Sequence, residues 1–463
     1  FVIENGDLTL GELSEKLSAF PAKPSEVLTG AAERLAGLKG EGAGSLGEGR
    51  ELLARPPLAA NHHGFDTHPE MVQGSLLLGL NGLISKANKP VVILASSAVP
   101  LNNPTAPGGL LAGRRGASWR RRQARLFSRK FDHVMVCRAP AVTRQMAEDF
   151  IKRLRGQEGW TEEERQRGEK FAEKFLLSPE FLEKSSFLAQ ASFLASWAWA
   201  SRLGFEGPPL VHLDLESLVS ICLAADLADC FSPVHRALFH GPSRLALAKA
   251  LSGRRGAWTG DLAGAPGESG ESRARGTFLF WELSNKGEGS PLKLESRRGR
   301  DYLAGASLEL PLSPEPIATA LAEGRLLPGL FLDYLVLSVH GLVPHGGVFM
   351  IDYLPDLLGP ASEILETPLG LKGLGPQAEP LLGAGLLPLG APASGAPGGW
   401  AAAGALELMG PLDEEFFRRL ARVRLDDLRA FTFGEWYQEE TPPSLRLEGW
   451  EEGLGAAPMR APA

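Results

Sequence analysis

The stretch AANHHGFDTHPEMVQGSLLLGLNGLISKANKPVVILASS, residues 59–97, decides the expected fold. It opens as a polar loop and continues into a helix-like apolar run from about Pro69 to Ala87, and Pro suits a first helical turn. The run VVILASS, residues 91–97, is short and continuously apolar, as buried parallel strands are. Loop, helix, buried strand and polar loop in succession are typical of a doubly wound sheet.

Patterns elsewhere in the chain favour the same architecture. Strands are predicted at 131–137 (FDHVMVC), 210–216 (LVHLDLE) and 347–354 (GVFMIDYL), and a hairpin at 277–295. Helices are predicted within 7–38, 141–155, 160–204 and 413–430. We therefore expect an α/β protein with a doubly wound, mostly parallel (Rossmann-like) sheet, helical insertions and a loop-rich C-terminal part.

The length of 463 residues predicts more than one packing unit. We expect residues 1–56 to form an N-terminal helical segment and residues 57–158 to form the first part of the α/β core. Residues 159–250 are expected to add a helical insertion and further α/β elements, and residues 251–354 a hairpin and a return to the core. Residues 355–463 are expected to form a Pro/Gly-rich segment with a C-terminal helix.

Composition narrows the classes of protein. Hydrophobic residues make up 44% and charged residues 22%, as in folded soluble proteins. The net charge of −7 argues against nucleic acid as a partner. The three cysteines, Cys137, Cys222 and Cys230, form no close pairs in sequence, which fits a reducing compartment. With no signal peptide or membrane span in the pattern, we expect a cytoplasmic protein.

The loop before the helix predicted from about Pro69 to Ala87 holds most of the potential chemistry. It contains three of the nine histidines, and imidazole and carboxylate groups are proton shuttles and metal ligands at neutral pH. The start of the helix adds free N–H groups that attract anions. The candidates for catalysis are His62, His63, Asp66 and His68, and those for substrate binding in the same segment are Asn61 and Gln73.

Three interpretations of this loop stay open. The loop can bind a polar or anionic small molecule, with Asn61 and His62 as donors. Alternatively, His62 or His63 binds a divalent metal together with Asp66 and His68, although their spacing matches no established ligand pattern, so no metal ligand is assigned. In the third interpretation, these side chains only cap the helix and satisfy the loop.

A second polar loop follows the strand at 91–97. In open α/β sheets ligands lie beyond the carboxyl ends of strands, which is where this loop begins. Asp214 and Glu216 can lie at a similar strand end. The substrate-binding candidates here are Ser96, Ser97, Asn102 and Asn103, and the arginine-rich run at 113–130 adds Arg114 and Arg115, which suit phosphate or carboxylate. His340 and His345, just before the predicted strand 347–354, complete the set.

The chain has no dinucleotide-binding, P-loop, nucleophile-elbow or H-E-x-x-H signature. The order of loop, helix and strand is similar to that in enzymes of the bacillithiol synthase type, but too few residues match to indicate that family. The pattern predicts a cytoplasmic enzyme, with a transferase or hydrolase slightly favoured, that binds a small anionic (phosphorylated, nucleotide-like or carboxylated) molecule at a His/Asn-rich site. The alternatives are a metal-dependent hydrolase built on the histidine loop and a non-catalytic interaction protein. The sequence indicates neither a cofactor nor an oligomeric state.

Overall fold

A computed structural model describes most of the chain. The described residues are 6–19, 22–37, 52–59, 62–85, 89–103, 105–112, 123–203, 207–254, 257, 279–346, 350–369, 390–392, 400–402, 405–406, 408 and 412–425. The predicted arginine sites Arg114 and Arg115, the predicted donor Asn61 and much of the Pro/Gly-rich segment lie outside these residues.

Helices dominate the described residues. They are α1 (Leu10–Ala19), α2 (Glu26–Leu35), α3 (Pro69–Ser85), α4 (Arg144–Arg155), α5 (Glu162–Phe171), α6 (Pro179–Leu182), α7 (Phe187–Arg202), α8 (Leu215–Ala228), α9 (Pro233–Phe239), α10 (Gly241–Leu251), α11 (Pro314–Ala322), α12 (Leu330–Val339), α13 (Met350–Ile364) and α14 (Glu414–Ala421). The strands are β1 (Val91–Ala95), β2 (Gly109–Leu111), β3 (Gln123–Arg125), β4 (Leu210–Asp214), β5 (Phe280–Leu283), β6 (Gly289–Pro291), β7 (Lys293–Arg297), β8 (Arg300–Ala304), β9 (Glu309–Pro311), β10 (Leu326–Pro328), β11 (Gly390–Pro392) and β12 (Trp400–Ala402).

The parallel pair β1 and β4 lies at the centre of the fold, in register from Val91 opposite Leu210 to Ala95 opposite Asp214. Side chains on one face, such as Leu94, belong to the core that includes residues of α2, α8, α12 and α13. Side chains on the other face, such as Ile93, belong to a second core with α1, α3 and α14. Burial on both faces is the physical reason for the continuous apolar run VVILA.

A third core holds α4 to α7 together with the loops around β2 and β3. Helix α7 belongs to two cores, because Trp199 packs in the second while Leu194 packs in the third. The β1–β4 pair likewise contributes residues to the first and second cores, and each fully buried Leu or Ile side chain stabilises the fold by about 1.5–3 kcal/mol relative to an exposed one.

The prediction of a doubly wound, mostly parallel (Rossmann-like) sheet is wrong. The described strands form a two-stranded parallel sheet, β1–β4, and short antiparallel sheets: β10–β5–β6, β7–β8–β9, β2–β3 and β11–β12. Within the described residues, only single residues extend the parallel pairing. Leu58 bridges Ile93 on one side and His345 on the other, and His62 bridges Ser96. A wider parallel sheet needs further segments paired along several residues, whereas Leu58, His62 and His345 each pair at a single position in the part of the chain that the structure describes.

Two predicted strands are also wrong. Residues 131–137 form turns with a short 3₁₀ helix at Val136–Arg138, since their backbone groups bond to the loop after β1 through Val136 N to Val99 O and Cys137 N to Ser97 O. Of the predicted strand 347–354, residues 350–354 open helix α13, and residues 347–349 lie outside the described part of the chain. A short apolar run does not by itself distinguish a strand from a helix or a turn.

Local signals predicted other elements correctly. Helix α3 begins at Pro69, Thr161 and Glu164 form the capping box of α5, and β4 runs straight into α8. The hairpin predicted between 277–283 and 291–295 is only partly correct, because β5 pairs with Gly289–Pro291, at the end of the predicted turn, and Lys293–Glu295 pair with β8 instead.

None of the described helices is by itself long and apolar enough to cross a membrane. Helices α8 and α9 reach that length and composition only as a pair, and a 78° bend separates them.

Candidate functional site

The carboxyl ends of β1 and β4 bring polar groups from distant parts of the chain together. Ser96 and Ser97 follow β1, while Asp214 ends β4 and caps α8 by accepting a hydrogen bond from the Ser217 amide at 2.9 Å. Because the two strands are parallel and in register at Ala95 and Asp214, both chain exits lie at one edge. Glu216 in the first turn of α8 therefore faces the serines.

Glu216 is held by four donors from the turn after β1. Its Oε1 accepts from the Ser96 hydroxyl at 2.5 Å and from the Ala98 amide at 3.1 Å. Its Oε2 accepts from the Ser97 amide at 2.7 Å and from the Ser97 hydroxyl at 3.1 Å. The carboxyl group is almost completely buried, but Ser96 is only half-buried. The Ser96 hydroxyl thus connects the buried Glu216 carboxyl to a half-buried residue.

Two further carboxyl groups surround Glu216. Burial and the charge of Asp214 raise the pKa of Glu216 to about 7, against the hydrogen bonds from the serine turn. Burial raises the pKa of Asp214 above its ordinary value. Burial and the charges of Glu216 and Asp214 raise the pKa of Asp333, on α12, well above its ordinary value. Carboxyl groups this close together cannot all be ionised, so the cluster retains protons near neutral pH.

Two buried imidazoles lie against the carboxyl groups. His63 Nε2 is 3.5 Å from Asp214 Oδ1, and the His63 ring contacts the His212 ring edge-on with centroids 4.6 Å apart. Burial lowers the pKa of His63 to about 3, and burial together with His63 lowers the pKa of His212 well below its ordinary value. Both rings are therefore neutral at pH 7, beside carboxyl groups that hold protons.

This cluster contains an unusual share of unsatisfied polar atoms. Among the described residues, six buried atoms of the cluster make no hydrogen bond: both ring nitrogens of His63, both of His212, Asp214 Oδ1 and Asp333 Oδ1. A buried polar atom without a partner costs about 1–3 kcal/mol. Such concentrations of strain and shifted pKa values are typical of functional sites.

His62 points to a different side of the loop from His63. Its Nδ1 lies 2.9 Å from the Thr105 hydroxyl, which donates to Asn103 Oδ1 at 2.9 Å. Burial lowers the pKa of His62 to about 4, although the hydrogen bond with Asn103 opposes the shift. Burial and the neighbouring His62 lower the pKa of His68 to about 4 as well. This half-buried group adjoins the Glu216 cluster because His62 pairs with Ser96 along the backbone.

Gly64 allows the histidine loop to approach the second polar loop. A Cβ atom at this position would lie 2.5 Å from Pro107 Cα and from Pro107 O. The amide of Phe65 also donates to Pro107 O, at 3.3 Å. The close contact fixes His62 and His63 beside the loop that carries Thr105.

The structure unites only part of the predicted site. It brings together His62, His63, His68, Ser96, Ser97 and Asn103. Asp66 instead lies near Arg202. Burial lowers the pKa of Arg202 to about 10, and the charge of Asp66 acts in the opposite direction. Asn102 is exposed and bonds through its amide to Asp132 O at 3.1 Å. Gln73 is a helical residue of α3 whose side chain lies outside the described part.

The two C-terminal histidines lie away from this cluster. His345 pairs through its backbone with Pro57 and Ala59, level with the middle of β1. His340 bonds to Ser25 and Asp226. His345 is thus a structural neighbour of the sheet, and His340 belongs to a separate group.

Residues that sequence reasoning missed complete the cluster. His212 lies within the apolar strand β4, and Asp333 lies within the apolar helix LFLDYLVLSV. The available signal was one ionisable residue inside each buried run, because such residues are rarely buried without a reason. Among the described residues, no three His, Cys, Asp or Glu side chains are arranged to hold a metal ion, so the metal interpretation of the histidine loop gains no support from the geometry.

Comparison of the chain with models of protein families, with curated proteins and with solved structures finds no match. The function therefore has to be argued from the cluster at the carboxyl ends of β1 and β4.

Proposed function

We propose that this protein is an enzyme that binds a small polar molecule over the carboxyl ends of β1 and β4 and exchanges a proton with it. Glu216 is the group that gains or loses the proton, and the Ser96 hydroxyl connects Glu216 to the bound molecule. The reaction class is a transfer or hydrolysis that needs general acid–base catalysis.

One observation carries the proposal: a carboxyl group with a pKa of about 7 lies 2.5 Å from a half-buried hydroxyl group. A catalytic acid or base works best when its pKa lies near the working pH. Glu216 meets that condition because Asp214 and burial oppose its ionisation. Ser96 is close enough to give its proton to Glu216, or to receive one from it, without movement of the backbone.

The buried carboxyl and imidazole groups around Glu216 favour a neutral or positively charged molecule. Asp214, Glu216 and Asp333 are carboxyl groups, and the neighbouring His63 and His212 rings are neutral at pH 7. An anion here would be repelled by any of these carboxyl groups that loses its proton, in a medium of low dielectric constant, and would oppose their ionisation. An amine, amide or hydroxyl group could instead donate hydrogen bonds to the unsatisfied oxygen atoms of Asp214 and Asp333. The geometry thus favours such molecules over the anionic molecule expected from the sequence.

The neighbouring groups have supporting roles in this proposal. Asp214 and His63 hold a second exchangeable proton next to Glu216. His62, with Thr105 and Asn103, forms the half-buried side against which the molecule rests. We also propose a cytoplasmic location, since Cys137, Cys222 and Cys230 are all free thiols.

The test compares ligand binding by the full chain and by two glutamate variants. Small amines, amides, polyols, carboxylates and phosphates are screened by thermal shift against wild type, Glu216→Gln and Glu282→Gln. Glu282 is a matched control because it is also buried and accepts hydrogen bonds from the amides of Ala306 and Ser307, at 2.8 and 2.9 Å. It belongs to strand β5, in a different sheet.

We expect an amine, amide or polyol to stabilise wild type and Glu282→Gln but not Glu216→Gln. Calorimetry of that ligand near neutral pH, in buffers of different ionisation enthalpy, should show proton uptake or release that Glu216→Gln abolishes. The proposal fails if only anions bind, or if Glu216→Gln binds the ligand with the same affinity and proton linkage as wild type.

A further inference from the structure

A second group of reactive side chains lies apart from the β1–β4 edge. Ser25, at the start of α2, places its hydroxyl oxygen 2.7 Å from His340 Nδ1. The opposite ring nitrogen, His340 Nε2, is 3.1 Å from Asp226 Oδ2 on α8. A hydroxyl, an imidazole and a carboxylate thus form one continuous hydrogen-bonded chain.

The hydrogen bonds select one proton arrangement. Asp226 is a carboxylate acceptor, so His340 Nε2 carries the hydrogen and donates it. His340 Nδ1 then has a free lone pair, which accepts the Ser25 hydroxyl hydrogen. The Ser25 oxygen accepts the amide hydrogen of Leu28 at 3.2 Å, so its single hydrogen remains available for the imidazole. This is the arrangement in which an imidazole removes a proton from a serine.

The base side of the group is fixed and the serine side is open. His340 and Asp226 are 8% and 5% exposed, whereas Ser25 is half-buried. Asp226 Oδ1 accepts from the Ser232 hydroxyl at 2.7 Å, which holds the carboxylate in place. The Ser25 amide also donates to His340 O at 2.9 Å. Ser25 is thus the most exposed member of the group, and the imidazole and carboxylate are buried behind it.

We infer that Ser25 is a nucleophile, with His340 as its general base and Asp226 as the group that orients His340, and that this second site acts on esters. The Ser25 oxygen attacks the ester carbonyl carbon, and its proton passes to His340 Nδ1. The carbon–oxygen bond to the alcohol breaks, and the departing oxygen takes that proton from His340. Water then attacks the acyl-serine and gives a proton to Nδ1; the acid leaves, and Ser25 recovers the proton.

The position of Ser25 at the start of α2 assists this step. The N-terminus of a helix carries a partial positive charge, which stabilises the negative charge that develops on the carbonyl oxygen. Because α2 is ten residues long, that charge is that of a full helix and not of an isolated turn. This inference is independent of Glu216, since its residues are not those of the β1–β4 edge.

The test is covalent labelling of the full chain with a fluorophosphonate probe, with the modified serines identified by mass spectrometry. Ser186 is the internal control. It is also half-buried and also caps a helix, where its hydroxyl accepts the Ala189 amide at 3.2 Å, the same distance as in Ser25. General-base assistance is worth about 100-fold to 10,000-fold, so Ser25 should be labelled faster than Ser186 by at least about 100-fold.

Variants separate the catalytic role from helix capping. Ser25→Asn keeps a residue that caps helices well but should lose the labelling. His340→Gln should reduce the labelling of Ser25 to the rate of Ser186, and Asp226→Asn should reduce it strongly. Hydrolysis of p-nitrophenyl acetate should follow the same order. Equal labelling of Ser25 and Ser186 in wild type, or unchanged labelling of Ser25 in a folded His340→Gln variant, would overturn the inference.

Discussion

The charge state of His63 gives a prediction that can be worked through in numbers. Burial lowers the pKa of this imidazole from an ordinary 6.5 to about 3 in the folded protein. Between those two pH values the unfolded chain binds a proton that the folded protein does not, so the free energy of unfolding falls as the pH falls. The full difference amounts to about 5 kcal/mol, with a limiting slope of about 1.4 kcal/mol per pH unit.

The assay is urea unfolding, followed by tryptophan fluorescence, at several pH values from about 7 down to about 4. Wild type is compared with His63→Gln, whose side chain does not titrate, and with His133→Gln at an exposed histidine. The stability advantage of wild type over His63→Gln should shrink as the pH falls, with a slope approaching one proton. His133→Gln should follow the wild-type pH dependence.

The opposite charge states of His63 and Asp214 would give the opposite pH dependence of stability. If Asp214 were ionised and His63 protonated, their 3.5 Å contact would be a buried ion pair. Protonation of His63 would then favour the folded state, and wild type would lose no more stability than His63→Gln on acidification. That result would refute a neutral His63 beside a protonated carboxyl cluster.

Two further predictions concern the supports of the site. Gly64→Ala should destabilise the protein by about 1–3 kcal/mol because its Cβ would clash with Pro107. The control Gly30→Ala lies in open space on helix α2 and should stabilise the protein by about 0.5–1 kcal/mol. Thermal unfolding of both variants measures these effects, and equal effects would contradict the close contact of the two loops. Gln190→Ala should lower the free energy of unfolding by about 1–3 kcal/mol for each of the three buried backbone groups that bond to the Gln190 side chain. The control Gln145→Ala, on the surface, should change it little, and urea unfolding measures both variants. An unchanged stability of Gln190→Ala would contradict this account of the third core.

The sequence predicted elements whose signals are local. Helix α3 has a proline at its start, α5 has a capping box, and β1 has a short apolar run. The overall sheet could not be predicted in the same way, because the choice of strand partners depends on contacts between distant segments. The apolar run at 350–354 supplies one side of a buried helix, and the run at 131–137 packs as turns on the loop after β1. Apolar content alone therefore does not distinguish the strand β1 from the helix at 350–354 or the turns at 131–137.

The candidate site was predicted only in part, because some of its residues have a local signal in the sequence and others are brought in by contacts between distant segments. His62 and His63 lie in a conspicuously polar loop, and Ser96, Asp214 and Glu216 lie at strand ends that the apolar patterns mark. His212 and Asp333 gave little signal because each is a single ionisable residue inside a buried run. The Ser25–His340 contact joins residues 315 positions apart in sequence, which only the packing of α2 against the end of α12 creates.

The most direct test of the account is the pKa of Glu216 itself. Carbon-13 NMR of the glutamate carboxyl carbons in wild type and Glu216→Gln, recorded from about pH 4 to about pH 9, isolates the Glu216 signal by its loss in the variant. We predict that this signal titrates near pH 7. Titration of the Glu216 carboxyl below about pH 5, in the ordinary range for glutamate, would contradict its role as the proton-exchanging group.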